Sequence, residues 1–295
     1  IDTGGLVFTN SKHISMDSEE LYISLEDVKV TYQFTNHSDN DILTLVSFPL
    51  PKIFSEGNSK VHYNESKAPW NAVPNPFQFK VIVEGKEIPL GLELKINGFE
   101  DSTNRVVDKK FVIENIDPTA AIPQSNIVGD YYYTYYWHQL FPRGKTITVE
   151  HSYKTLSGTG FLDKSRNTYS IKIPTGGSYC FDKNFRKNFH ALEKEINLTE
   201  KYQAKSKLEI FFHFNVSKSV GYILKTGSNW KGPIKNFKLT YDTLHPKSFF
   251  ATCFKGFKKV SATLYEVNLK NFKPTQDLNI FHAKYPYTPE AELVH

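Results

Sequence analysis

Residues 28–35 read Val-Lys-Val-Thr-Tyr-Gln-Phe-Thr, and this stretch is the clearest guide to the fold. Its apolar members alternate with its polar members, and the apolar set is Val28, Val30, Tyr32 and Phe34. Because successive side chains of a strand point to opposite faces, the alternation predicts a half-buried strand with one solvated side.

The segment that follows this strand predicts a change of direction. Residues 36–41 read Asn-His-Ser-Asp-Asn-Asp, a cluster of turn formers. The apolar run of residues 42–48 resumes after it and stops at Pro49-Leu50-Pro51, because proline cannot donate to a strand ladder. We interpret the two strands as a β-hairpin with a rather long loop.

The composition supports the same class of fold along the whole chain. The chain has 295 residues, of which 39% are hydrophobic, 23% are charged and 15% are aromatic, so it is globular and inclined to strand. Further strands are predicted over residues 77–84, 111–113, 146–154, 168–173, 207–215, 237–241, 262–269 and 278–282. Residues 52–76 hold no periodicity and predict a long irregular loop.

Helical spacing is rare in this sequence. Residues 182–196 hold the best example, where Asp182 can cap a helix and an apolar stripe follows at helical intervals. A weaker helix is predicted over residues 89–97. We therefore predict a mainly β fold with two largely antiparallel sheets, packed or meeting at an angle, and one principal helix over about residues 182–196.

The domain organisation is less clearly marked than the fold class. Residues 156–160 read Leu-Ser-Gly-Thr-Gly and suggest a boundary between a β-rich half, 1–155, and a second β-rich half, 156–295, with the helix and both cysteines. The alternative is a single fused domain, which is common among all-β chains of this size.

Charge argues against a nucleic-acid partner. The net charge is +5, but only four of the 36 basic residues are arginine, the side chain that contacts bases and phosphates in bidentate fashion. The lysines lie among acidic residues and indicate a solvated surface. No apolar run approaches the ~20 residues that a membrane-spanning helix needs. The chain begins with Ile1-Asp2, and we interpret it as a mature form from which an export signal has been removed.

The two cysteines, Cys180 and Cys253, predict one disulfide in an oxidising compartment. The alternative is two unrelated buried thiols. Two cysteines are too few for a zinc site unless histidine completes it, so we predict no metal and no cofactor.

Motifs in five parts of the chain occur in the same order in one known family. They are Gly4-Gly5-Leu6 with Leu21-Tyr22-Ile23 and Phe48-Pro49-Leu50-Pro51; Trp137, Phe141-Pro142, Gly144 and Glu150-His151; Tyr179-Cys180; Leu224 to Gly227 with Asn229 to Pro233; and Cys253 with Phe272, Pro274 and Leu278. In these the chain resembles the bacterial domain of unknown function 4424. The resemblance implies export from Gram-negative bacteria, in some members by type II secretion, and implies no activity, cofactor or catalytic residue.

The aromatic segment Tyr-Tyr-Tyr-Thr-Tyr-Tyr-Trp-His, residues 131–138, is the first candidate for binding. Exposed rings such as those of Tyr135 and Trp137 could stack on sugars or anchor a partner protein. The alternative is that half of them face the core. His151 is a candidate for metal binding or acid–base chemistry, but it shares a strand face with Val149 and Tyr153. We therefore predict that His151 is buried with a satisfied hydrogen bond.

The loop Thr226 to Pro233 is the second candidate, because it brings an amide, an indole and a cation together in Asn229, Trp230 and Lys231. The alternative is a structural turn with the indole of Trp230 folded inward. The loop matches neither a phosphate-binding loop nor a nucleophile elbow.

These features favour an exported, non-catalytic binding or interaction module of the periplasm or the extracellular space, with a protein or glycan partner. One alternative is a secreted hydrolase acting on envelope or host polymers, which predicts paired carboxylates or a histidine beside a nucleophile. Another is a structural component of the envelope, which predicts association through open strand edges. We assign no catalytic residue.

Overall fold

The computed structural model describes residues 11–50, 52–56, 75, 77–100, 103–116, 127–155, 157–160, 162–165, 168–171, 179–205 and 217–283. The mainly β fold predicted from the sequence is confirmed, with a single α-helix in these ranges. The strand predicted over residues 207–215 and most of the loop predicted over 52–76 lie outside them. In the described part of that loop the prediction is wrong for residues 53–56, which form a strand paired with residues 128–131.

The elements follow one another along the chain as short and medium strands, broken by the helix α1 (Lys183–Lys205). The strands are β1 (Ile14–Ile23), β2 (Asp27–Asn36), β3 (Ile42–Pro49), β4 (Ile53–Glu56), β5 (Lys80–Val83), β6 (Lys86–Glu87), β7 (Gly91–Glu100), β8 (Val106–Ile113), β9 (Ile127–Phe141), β10 (Thr146–Lys154), β11 (Ser157–Gly160), β12 (Leu162–Ser165), β13 (Thr168–Ile171), β14 (Ser217–Tyr222), β15 (Ile234–Asp242), β16 (Phe249–Thr252), β17 (Lys258–Lys259), β18 (Leu264–Phe272) and β19 (Leu278–Ala283). A 3₁₀ turn, Lys225–Asn229, lies between β14 and β15.

The strands form three main sheets. An eight-stranded sheet has the order β17-β18-β15-β1-β2-β10-β5-β6, a five-stranded sheet has the order β3-β9-β7-β8 with β4 beside β9, and a four-stranded sheet has the order β11-β14-β19-β16. Strands β12 and β13 form a separate pair. All described pairings are antiparallel except that of β1 with β15. The eight-stranded sheet draws strands from both sides of the boundary suggested at residue 156, and that boundary stays a prediction.

The hairpin predicted from β2 and β3 is wrong, because the two strands lie in different sheets. Strand β2 pairs with β1 and β10, whereas β3 pairs with β9. The connection between β2 and β3 is a corner that lies beside the corner between β9 and β10. The amide of Asn36 donates to the carbonyl of Phe141, and the Arg143 N–H donates to the Asp41 carboxylate. The turn residues are as predicted, but the strands that they join find partners elsewhere.

The principal helix begins where the sequence predicts and continues past the predicted end. The Asp182 carboxylate accepts the backbone N–H of Phe185 at 2.7 Å, the geometry of an N-cap. The helix extends to Lys205 rather than to residue 196, because residues 197–205 include several good helix formers that need no apolar stripe.

The weaker helix predicted over residues 89–97 is wrong, since this stretch belongs to β7. Leu92, Leu94 and Ile96 alternate on the buried face. Gly91 faces the ring of Tyr136 on β9 so closely that an added Cβ would lie 2.1 Å from a ring carbon. The alternation of buried side chains and the close contact of Gly91 with a ring of the next strand are both features of a β-strand.

Two apolar interiors hold the sheets together. The larger core lies where the inward faces of the eight-stranded and five-stranded sheets meet, for example where Phe34 contacts Phe141 at 5.8 Å between ring centroids. The smaller core lies under α1, where the predicted stripe residues Phe185, Phe189 and Leu192 pack with Phe281. The predicted Cys180–Cys253 disulfide is confirmed and joins the segment before α1 to the segment after β16.

Candidate functional site: an interior polar cavity

A row of residues across the eight-stranded sheet brings a carboxylic acid into the larger core. Glu19 on β1 lies directly opposite Tyr32 on β2, and Tyr32 lies opposite Val149 on β10. Glu19 shares its strand face with Leu21 and Ile23, so the alternation that buries those two side chains also buries the carboxyl group. The side chain of Glu19 is 3% exposed.

Two tyrosines hold this carboxyl group. The hydroxyl of Tyr222, on β14, donates to Oε1 of Glu19 at 3.3 Å. The hydroxyls of Tyr222 and Tyr32 lie 2.9 Å apart and form a second hydrogen bond. Three strands of two sheets therefore meet in one buried chain of polar atoms.

Burial sets the protonation state of this chain. It raises the pKa of Glu19 from 4.5 to about 8, against the opposing effect of the hydrogen bond from Tyr222. The part of the chain that the structure describes offers no cationic partner to Glu19. Burial also raises the pKa values of Tyr32 and Tyr222 well above 10.0. At neutral pH the carboxyl group therefore keeps its proton and both hydroxyls are neutral.

His151, on β10, is the next polar group along the same face. Its ring lies 5.0 Å from Trp137, 5.1 Å from Tyr32, 5.2 Å from Phe48 and 5.6 Å from Phe79, measured between centroids. Three of these contacts are edge-on. Burial lowers the pKa of His151 from 6.5 to about 3, so the imidazole is neutral.

The predicted burial of His151 is confirmed, but the predicted hydrogen bond is wrong. Neither ring nitrogen has a hydrogen-bond partner among the described residues. The described contacts of the imidazole are with the rings of Tyr32, Phe48, Phe79 and Trp137. Unpartnered buried polar atoms are rare in proteins and call for a specific explanation.

These polar groups face one cavity of about 50 Å³. That volume accommodates about three to five water molecules. Its walls combine the carboxyl, hydroxyl and imidazole groups with apolar and aromatic side chains. The described lining consists of Met16, Glu19, Tyr32, Phe34, Val46, Ser47, Phe48, Trp137, Gln139, Phe141, Val149, His151, Tyr222, Ile223, Leu224, Thr226, Gly227 and Trp230. A mainly apolar wall with a few convergent polar groups is typical of small-ligand sites.

A glycine in the 3₁₀ turn keeps space open beside Glu19. A Cβ added to Gly227 would lie 3.2 Å from Ile234, 3.3 Å from Pro274 and 4.0 Å from Oε2 of Glu19. An added Cβ would therefore crowd Ile234 and Pro274 and would come into van der Waals contact with the carboxyl group. The neighbours Thr226 and Trp230 are half-buried, so this turn is one of the walls that reach towards solvent.

The structure brings two of the predicted binding residues together in this lining. Trp137 comes from β9 and is buried, and Trp230 follows the 3₁₀ turn. The Trp230 ring folds inward against Phe34, 4.6 Å between centroids, and against Phe141 at 6.1 Å. The indole thus forms an interior wall rather than an exposed platform.

The other three predicted residues lie apart from the described lining. Tyr135 stacks on Phe79 at 4.4 Å, and its hydroxyl donates to Oδ1 of Asn75. Asn229 and Lys231 flank Trp230 and anchor the turn through their backbones, since the Asn229 carbonyl accepts from Ser11 and the Lys231 N–H donates to Ile14.

Sequence reasoning did not single out Glu19 or Tyr222 as site residues. A signal was present for Glu19, because an acid at an inward position of an alternating strand is unusual. No local signal marked Tyr222, because its importance depends on the meeting of β14 with β1. His151 was correctly placed on the inward face.

A second pocket opens at the surface on the other side of Lys225. It measures about 310 Å³ and is mostly polar, with Lys225, Thr252, Cys253, Phe254, Thr275, Gln276, Asp277 and Asn279 in its described lining. The Lys225 ammonium lies 3.6 Å from the Asp277 carboxylate in its wall. The Lys225–Asn229 turn therefore contributes to the walls of both pockets.

The exterior carries a small apolar area on the five-stranded sheet. Leu43 and Leu140 face each other across β3 and β9 and are 66% and 47% exposed. Leu45 follows on the same side. Within the described ranges, no group of three or more His, Cys, Asp or Glu side chains is placed to hold a metal ion. No helix there has the length and hydropathy to cross a membrane.

Comparisons with known proteins add a family and two distant folds. A candidate nutrient-binding protein of Legionella pneumophila subsp. pneumophila str. Philadelphia 1 is similar with a TM-score of 0.49 at 16% identity, over 94% of this chain and 69% of that one. A two-domain M1 zinc metallopeptidase is similar with a TM-score of 0.22 at 10% identity, over 93% of this chain and 44% of that one.

Both likenesses are too distant to carry an argument about function. No curated protein matches the sequence. One family model matches residues 1–129 and 124–281, which together span most of the chain. The protein therefore belongs to the family described as domain of unknown function DUF4424, as the resemblance of its motifs indicated.

Proposed function

We propose that this protein is an exported, non-catalytic binding module that takes a small ligand into its interior cavity. The observation that carries the proposal is the convergence of the Glu19 carboxyl group, the Tyr222 hydroxyl and the unpartnered His151 imidazole on one aromatic-walled space. Shifted pKa values and unpartnered buried polar atoms are typical of functional sites.

The energetic argument concerns what these groups cost the fold. Leaving a buried donor or acceptor unpartnered costs roughly 1–3 kcal/mol, and an apolar side chain of similar shape in place of His151 would avoid that cost. A ligand that bonds to the imidazole and the carboxyl group would offset it. The half-buried turn at Thr226 and Trp230 is the wall through which such a ligand would enter.

The disulfide supports the proposed compartment. Disulfides such as Cys180–Cys253 persist in oxidising compartments and are rare in the cytosol. Residence in the periplasm or the extracellular space accounts for it. A binding module there would meet small solutes directly.

The hydrolase alternative has less support from the cavity. It requires two carboxylates or a nucleophile beside a histidine. Glu19 is the one carboxylate in the described lining, and no described hydroxyl lies within hydrogen-bond distance of either His151 nitrogen.

The proposal is tested by a thermal-shift screen of small solutes on the purified protein and on a Val46→Phe variant. Val46 lies in the lining, so the larger ring should fill the cavity and remove any ligand-induced rise in melting temperature. Lys231→Ala, at an exposed position outside the described lining, is the control and should keep the rise. Equal rises in the Val46→Phe variant would place binding elsewhere. No rise with any solute would favour a protein partner on the Leu43 and Leu140 face.

The surface pocket supports a second candidate, in which a saccharide binds there. Its volume of about 310 Å³ and its amide, hydroxyl and carboxylate groups suit a sugar unit. A glycan array compares the native protein with Gln276→Ala, which removes an amide from the lining. Signals lost in the variant would support this candidate, whereas an array without signals would remove it.

A further inference from the structure

We infer that the ligand of the interior cavity is a small ammonium-type cation, paired with the Glu19 carboxylate and enclosed by the aromatic walls. This inference rests on the proposed function and names the ligand class for that site. Three features support it: the charge of the lining, its aromatic rings and its size.

The charge of the lining favours a cation over an anion. Glu19 is the single acidic group in the described lining, and no lysine or arginine accompanies it there. An anion would meet a carboxyl group and two tyrosine hydroxyls already engaged with each other. A cation would supply the partner that a buried carboxylate needs, since such a charge is stable in a protein interior only when it is paired.

The walls add a second source of attraction for a cation. Trp137, Trp230, Tyr32 and Phe34 all contribute rings to the lining. The face of an aromatic ring carries negative electrostatic potential, and ammonium groups bind in cages of such rings. The neutral His151 retains one nitrogen that can accept a hydrogen bond from an N–H donor.

The volume limits the ligand to a small alkylammonium. About three to five water molecules fit in a cavity of this size. Ligands with a similar number of non-hydrogen atoms match this volume. Gly227 contributes to this room because a Cβ there would lie 3.2 Å from Ile234 and 4.0 Å from Oε2 of Glu19.

Binding of a cation displaces a proton. At neutral pH Glu19 is protonated, because burial raises its pKa to about 8. The alkylammonium enters with its own proton, Glu19 becomes a carboxylate, and one proton passes to solvent. The titratable groups that face Glu19 are Tyr222, Tyr32 and, further along, Tyr153, all of which stay neutral below pH 8, and the cavity also contains His151, neutral above about pH 3.

A pH dependence of affinity follows from this exchange. Below about pH 8, the affinity for the alkylammonium should increase about tenfold for each unit by which the pH is raised, because the proton on Glu19 becomes easier to remove. Above about pH 8 it should become independent of pH until the amine itself loses its proton.

The experiment compares three probes that have the same number of non-hydrogen atoms: isopropylammonium, 2-propanol and acetate. Each is titrated calorimetrically into the native protein at pH 6, 7 and 8, in two buffers whose ionisation enthalpies differ. Isopropylammonium should bind, should release close to one proton at pH 6, and should bind more tightly at pH 8.

The decisive variant is Glu19→Gln, and its matched control is Glu20→Gln, at the next and exposed position of β1. Glu19→Gln should weaken isopropylammonium at pH 8 by at least about thirtyfold and abolish proton release. Glu20→Gln should change neither. A native-like circular dichroism spectrum and a cooperative melting transition establish that both variants are folded.

Each contrary outcome has a separate meaning. Binding of 2-propanol or acetate without binding of isopropylammonium would overturn the cation inference and leave the proposed function standing. Binding of isopropylammonium by Glu19→Gln, without proton release, would also overturn the inference. Binding of none of the three would overturn it as well, and the solute screen with Val46→Phe would then decide the proposed function alone.

Discussion

The two interiors of this protein differ in what they bury. Among the described residues, the core under α1 is built from apolar side chains, and Cys180 of the disulfide lies between Tyr179 and Phe181, which pack against this core. Its rings pack directly on one another, as Phe185 and Phe189 do at 5.5 Å between centroids. The larger core, by contrast, contains the cavity with Glu19, Tyr222 and His151. The described residues pack apolar rings against one another in one interior and place polar groups around a space in the other.

The difference between the two interiors indicates which of them has a role in binding. A filled apolar core contributes to stability through every side chain. A core that retains a protonated acid and an unpartnered imidazole is less stable than an apolar alternative would be. Substitutions in the core under α1 should therefore change stability alone, whereas substitutions in the cavity should change pH dependence and binding.

The largest effect should come from the apolar interior. Phe189→Ala removes a ring that is 1% exposed and should lower the free energy of unfolding by about 5 kcal/mol, near the upper end for such a truncation. Urea unfolding measures it. Phe189→Leu should lower the free energy of unfolding clearly less, because it keeps part of the buried apolar volume. Any fraction that stays folded should bind solutes as the native protein does, and lost binding with intact folding would break the contrast between the interiors.

Removal of the disulfide should lower the free energy of unfolding slightly less than Phe189→Ala does. Cys180 and Cys253 are 73 residues apart, and a loop of that length predicts a loss of about 4 kcal/mol when both are replaced by serine. The melting temperature of the double variant should equal that of the reduced native protein. An unchanged melting temperature after complete reduction would show that the bond does not stabilise the core under α1.

The pH dependence of stability distinguishes the cavity from the other interior. The pKa of Glu19 is raised in the folded state, so its contribution is fully present below about pH 4.5 and is lost as pH rises through about 8. The native protein should therefore lose stability relative to Glu19→Gln by up to about 1.4 kcal/mol per pH unit in that window.

Urea titrations of both proteins from pH 5 to pH 9 measure this difference. His151 has a lowered pKa and its contribution is lost as pH falls below 6.5, but that effect is common to both proteins and cancels. Parallel stability curves for the two proteins would mean that Glu19 is not a buried acid in solution.

The smallest effect should come from a single hydroxyl. Tyr32→Phe removes one hydrogen bond, that with Tyr222, and should lower stability by about 1 kcal/mol. Tyr222→Phe removes the bonds with both Tyr32 and Glu19 and should cost more. Thermal melting at pH 7 compares the two. A larger loss for Tyr32→Phe would contradict the order of this hydrogen-bonded chain.

Local pattern was sufficient for the elements of this fold. The alternation in residues 28–35 predicted β2, and that in residues 146–154 predicted β10, because period two is a property of the strand itself. The start of α1 followed from Asp182 and its apolar stripe. The disulfide was predictable because only two cysteines are present.

Partnership between strands was not predictable in the same way. The sequence around residues 36–41 showed that the chain turns, but it gave no sign that β2 would pair with β10 and β3 with β9. That choice depends on strands about one hundred residues away, as in the bond between Asn36 and Phe141 with a separation of 105.

The candidate site shows the same limit. The indoles of Trp137 and Trp230 were predicted as binding residues from their chemistry, and both line the cavity. Their inward orientation depends on Phe34 and Phe141, which no local pattern connects to Trp230. The acid of Glu19 was visible as an exception to alternation, but its tyrosine partner lies 203 residues further along the chain.

The parallel pairing of β1 with β15 has a consequence for how the chain folds. The Tyr22 hydroxyl donates a hydrogen bond to Asp242, 220 residues later in the chain. Strand β1, near the start of the sequence, can therefore complete its pairing only after β15 has been synthesised. Contacts of such long range slow folding, and until β15 arrives one edge of β1 is open to intermolecular pairing. During synthesis the N-terminal segments would therefore depend on chaperones, or on delayed folding, until most of the chain has emerged.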